Sequence, residues 1–151
     1  MLILNILGTT EYSRHATKVA LGVAIAFTVI GFAKFAFGYN SIGPIHVLKY
    51  FILFSGLYIG ARTLVNNKEI TNQLEVILFG IKTSLRTALF YTLISSFFIM
   101  VFQSADNMDT FLKGTPMEVF LVNILVTFWG CLILGALFSY IISVMLPTDN
   151  K

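Results

Sequence analysis

The sequence predicts an all-α protein of the membrane, a four-transmembrane-helix bundle whose third and fourth helices are long. Three observations predict it. Of 151 residues, 57% are hydrophobic and only 11% charged, against about 25% charged in a soluble domain. Mean hydropathy is +0.86. The apolar residues gather into four long runs, and each approaches the ~20 residues that cross a ~30 Å hydrocarbon layer. This composition excludes an ordinary soluble domain and a disordered chain. The lone cysteine, Cys131, excludes an internal disulfide and reads as a small residue inside an apolar run. The whole chain, 1–151, reads as one membrane domain.

The opening segment, Met1 to Gly8, lacks basic residues and is too short an apolar run for a cleavable signal peptide. Glu11, Arg14, His15 and Lys18 form a polar stretch before the first span, 19–37, which is uncharged from Val19 to Ala33 and carries Lys34 near its far end. The second span, 45–61, follows Pro44, which suits a first helical position because its missing N–H costs nothing there. Lys49 lies about one turn inside it and Arg62 closes it. The short linker makes these two spans a helical hairpin.

The third span, 84–104, has an amphipathic lead-in over 70–84. Ile70, Leu74, Ile77, Leu78, Ile81 and Leu85 recur at helical spacing, with Glu75, Lys82 and Arg86 on a more polar stripe. One long helix from about Thr71 to Gln103 is predicted; the alternative is a separate surface helix followed by a bend. The fourth span, 119–146, begins with Thr115-Pro-Met-Glu118, a capping box with proline at the first helical position. Its 28 uncharged residues, Val119 to Leu146, extend ~42 Å at 1.5 Å per residue and must tilt or project.

Cations set the orientation. Arg14, Lys18, Arg62, Lys68, Lys82, Arg86 and Lys151 fall on one side, and Lys34, Lys49 and Lys113 on the other. The positive-inside rule then makes both termini cytoplasmic. The basic residues form no run, so nucleic acid is not an expected partner.

Two polar groups stand out. Lys34, His46, Lys49 and Glu118 fall near the outer leaflet and form a candidate cluster for a headgroup or a partner's carboxylate. The alternative has both lysines snorkelling and Glu118 serving only the helix cap. On the inner side Lys82 and Arg86, four residues apart, are candidates for lipid phosphates or partner contacts; ordinary headgroup anchoring explains them too. Gly56, Gly60, Gly135 and Ser139 are candidates for close helix packing, within the bundle or between copies. Trp129 lies near mid-depth, and its N–H predicts a packing position between helices. No phosphate-binding loop, HExxH or Ser/His/Asp pattern is present in the sequence, so no catalytic residue, metal or cofactor is expected.

Gly56-Leu-Tyr-Ile-Gly-Ala-Arg62, a short polar connection, Phe79-Gly80, and the closing Gly135-Ala-Leu-Phe-Ser-Tyr-Ile-Ile-Ser143 together resemble a family of small bacterial four-span inner-membrane proteins of unknown function. The resemblance implies a bacterial inner-membrane location and carries over no functional residue. The expected function is a non-catalytic accessory or structural subunit of a larger membrane complex. Membrane lipid and other membrane-protein subunits are the expected partners. The alternative is a small homo-oligomeric transporter or channel using the outer-leaflet cluster.

Overall fold

The structure, a computed structural model, describes residues 11–36, 44–104 and 117–146, with side chains over 12–33, 47–98, 100–101 and 121–146. Four helices account for them: α1 (Glu11–Ala36), α2 (Pro44–Asn66), α3 (Gln73–Ser104) and α4 (Met117–Met145). All four are long and apolar enough to cross a membrane, and the chain is a small integral membrane protein. The largest interface joins α3 to α4, followed by α1 to α3, α1 to α2 and α2 to α4. Around the bundle the order is therefore α1, α2, α4, α3.

Two boundaries differ from the sequence prediction, and the continuity of the third helix agrees with it. The polar stretch before the first span belongs to the helix: α1 begins at Glu11 because Ser13, Ala16 and Ala20 already face its neighbours and are buried. Arg62 does not close α2, which runs one turn further to Asn66. The predicted lead-in and third span form one continuous helix of 32 residues, ~48 Å long and so longer than the hydrocarbon layer. The Thr115 cap lies outside the described residues.

The α2–α3 turn shows why α2 stops and α3 starts where they do. The Glu69 N–H donates to the Leu64 carbonyl at 2.9 Å and the Lys68 N–H to Val65 at 3.0 Å. Lys68 sits between them at φ 60°, so the pair forms a Schellman stop with lysine in the left-handed place usually given to glycine. Asn72 then opens α3. Its Oδ1 accepts the Glu75 N–H at 2.9 Å, and the Glu75 carboxylate accepts the Thr71 N–H at 2.9 Å. These are the two halves of a capping box, shifted by one residue on the carboxylate side.

Small residues set the interhelical distances. A Cβ on Gly56 would lie 2.6 Å from Val23 of α1, and one on Gly60 would lie 2.9 Å from Phe79 of α3. Gly80 faces Ser139, and Gly135 faces Ser84, each so closely that any Cβ would collide. The described contacts of Gly56, Gly60, Gly135 and Ser139 are thus within one chain. On α4, Ile124, Thr127, Cys131, Gly135, Ser139 and Ser143 turn inward. Trp129 is two residues off that row and points away. It is 59% exposed, so the interhelical position predicted for it is corrected: the small residues occupy the inner face and leave no space for an indole.

Candidate functional site

One side chain from each helix meets at the bundle centre. Lys49 of α2 is only 3% exposed. Its Nζ donates to the Tyr91 hydroxyl of α3 at 3.3 Å and to Thr127 Oγ1 of α4 at 3.5 Å. The ammonium also lies 5.0 Å from the centroid of the Tyr91 ring and 5.9 Å from that of Phe27 of α1, within the ~6 Å over which a ring face attracts a cation. Phe27 and Tyr91 meet edge to face at 6.0 Å. Gly31 lies beside them, and a Cβ there would make ordinary contact, 3.7 Å from the Tyr91 hydroxyl and 3.8 Å from Nζ. Lys49 therefore does not snorkel; hydroxyls and aromatic faces replace the water it lost. Lys34, His46 and Glu118 lie on α1, α2 and α4, and their side chains are outside the described residues.

A second buried cation joins α1 to α3. Arg86 is 3% exposed. Its Nη1 donates to the Ser13 carbonyl at 2.7 Å and to Thr17 Oγ1 at 2.9 Å, and its Nη2 donates to Ser13 Oγ at 2.8 Å. A planar guanidinium fork suits such a fixed set of acceptors. Arg86 is therefore removed from the surface phosphate grip predicted for it, because Ser13 and Thr17, one turn apart on α1, hold both its terminal nitrogens. Lys82 stays exposed, with its ammonium 5.5 Å from the Tyr12 ring centroid. The two residues predicted to act together have separate environments.

Along its buried side α3 presents Thr83, Thr87, Tyr91 and Ser95 four residues apart, a row that passes both cations. This row extends ~18 Å along the helix. The Thr83 Oγ1 and the neighbouring Ser84 Oγ have no hydrogen-bond partner among the described residues. Sequence reasoning passed over this row, over Ser13 and Thr17, and over Thr127. The spacing of four was the available signal in each case, hidden because Thr and Ser also return a hydrogen bond to the carbonyl one turn back, as Thr87 does to Thr83 at 2.9 Å. Among the described residues no group of His, Cys, Asp and Glu is arranged to hold a metal.

Compared with protein families, with curated proteins and with solved structures, the chain matches none. Four membrane-spanning helices closing on a buried lysine define the site by geometry alone.

Proposed function

We propose that the chain is a non-catalytic accessory or structural subunit of a larger membrane complex, with α4 as the helix that meets its partner. The observation that carries this is Trp129, 59% exposed near the middle of the most apolar helix. No described residue accepts its indole N–H, and lipid tails offer no acceptor at that depth. A partner helix supplies both the acceptor and a packed surface. Val122, Val126, Ile133, Leu137, Tyr140 and Val144 continue the exposed face at spacings of three and four, the pattern that neighbouring helices interlock with. The resemblance to small bacterial four-span proteins supports an inner-membrane location, and the cation distribution supports cytoplasmic termini.

The test places a photo-crosslinking residue at position 129 and weighs the native complex in mild detergent. The expected result is a heavy assembly and a crosslink to a different membrane subunit. A free monomer whose position 129 crosslinks only to lipid overturns the proposal.

A second reading, a small homo-oligomeric transporter or channel, is favoured by the buried hydroxyl row on α3 that passes Arg86 and Lys49. Cations inside a bundle mark anion pathways when water reaches them. It requires a homo-oligomer with no foreign subunit, and solvent access to a cysteine introduced at Thr87.

A further inference from the structure

We propose that the outer face of α1 is a binding site for one anionic phospholipid, its phosphate held at Arg14 and Lys18 in a cleft that His15 helps to line, and one acyl chain lying along Leu21, Ile25 and Val29. Three observations place it there. Arg14, His15 and Lys18 share a cleft of about 230 Å³ with Glu69 of the α2–α3 turn. His15 forms a wall of this cleft, its ring centroid 6.3 Å from that of Phe79 of α3. Arg14 and Lys18 are exposed one turn apart, and the same face continues with Leu21, Ile25 and Val29, 42%, 49% and 62% exposed. Beside them Gly22 has no atom within 4 Å of where a Cβ would stand, so the track is open.

The length of this face selects a lipid over a free phosphate. From Lys18 to Val29 the helix rises ~16 Å, close to half of a ~30 Å hydrocarbon layer. A cationic end joined to an apolar track one leaflet long matches a molecule with a charged head and an acyl tail. The leaflet is the one that meets the α2–α3 turn. Arg62, Lys68 and Lys82 add positive charge at that end, which attracts anionic headgroups. α1 packs chiefly against α2 and α3, leaving the face to the bilayer. Arg86 has no part in the site, because it is buried and Ser13 and Thr17 hold both its terminal nitrogens. Glu69 opposes the phosphate and sets an upper limit on affinity.

The experiment delipidates the full chain in mild detergent and measures retention of phosphatidylglycerol and of phosphatidylcholine with matched acyl chains by native mass spectrometry. Phosphatidylglycerol is expected to be retained preferentially. Short-chain phosphatidylglycerol is expected to bind more weakly, and millimolar inorganic phosphate should fail to displace the long-chain lipid. Changing both Arg14→Gln and Lys18→Gln should weaken retention about 30-fold, from two cations near the surface. Glu69→Gln should strengthen it, by up to about fivefold. This exposed turn variant keeps the proposal testable if the double variant does not fold. Equal retention of the two lipids, displacement by inorganic phosphate, insensitivity to the double variant, or no gain from Glu69→Gln each overturns the proposal.

Discussion

Arg86 and Lys49 are both cations exposed by only 3%, but the protein holds them by different means. Arg86 spends its terminal nitrogens on three hydrogen bonds of 2.7–2.9 Å to one turn of α1. Lys49 reaches two hydroxyls at 3.3 and 3.5 Å and rests against two rings. The first arrangement is directional and joins two helices. The second is soft, reaches three helices from the fourth, and offers a compact charge that can shift among partners. Burial alone therefore does not tell what a membrane cation does. The geometry of its acceptors separates a clamp from an adaptable centre.

Four substitutions test that contrast, and all are read by unfolding in detergent. Arg86→Ala should have the largest effect, a loss of about 3 kcal/mol, because it removes three hydrogen bonds from a charged donor that join α3 to α1. Arg86→Lys should recover only part, since one ammonium cannot match the fork. Tyr91→Phe should cost about 1 kcal/mol, the ordinary net value of a hydrogen bond, because the ring face beneath Lys49 survives. Lys49→Met should change stability by less than about 1 kcal/mol or raise it, because an apolar side chain of similar length removes a charge that was expensive to bury. If Lys49→Met proves as damaging as Arg86→Ala, the two sites are both clamps and the contrast fails.

The architecture was legible in the sequence because lipid leaves few choices: long uncharged runs become helices. The continuity of α3 was legible from its repeat of apolar residues beginning at Ile70. Its start, expected at about Thr71, falls at Gln73, where Asn72 and Glu75, three apart, form the cap. The site was much less legible. Lys49 looks like any lysine one turn inside a span, and only the folded bundle brings it to Tyr91 and Thr127. Lys82 and Arg86 look equivalent on one helix, and they part only because α1 runs beside α3 with Ser13 and Thr17 at the right height. Trp129 was misplaced for the opposite reason. Nearly every residue of α4 is apolar, so hydropathy distinguishes none of its faces, and the small residues that mark the inner one are a weaker signal than a large aromatic.

The paired notches between α3 and α4 also fix a register. Gly80 meets Ser139 and Ser84 meets Gly135, so a step of four residues forward on one helix answers a step of four back on the other. Tyr91 and Thr127 lie two turns further along, ~10–12 Å away, and their heights are indexed by those notches as the marks of a vernier scale index each other. A slip by one residue would bring side chains onto backbones that have no room for them. The α3–α4 hairpin therefore works as a ruler: it measures out, from one end of the bundle, where the hydroxyls that receive Lys49 must stand.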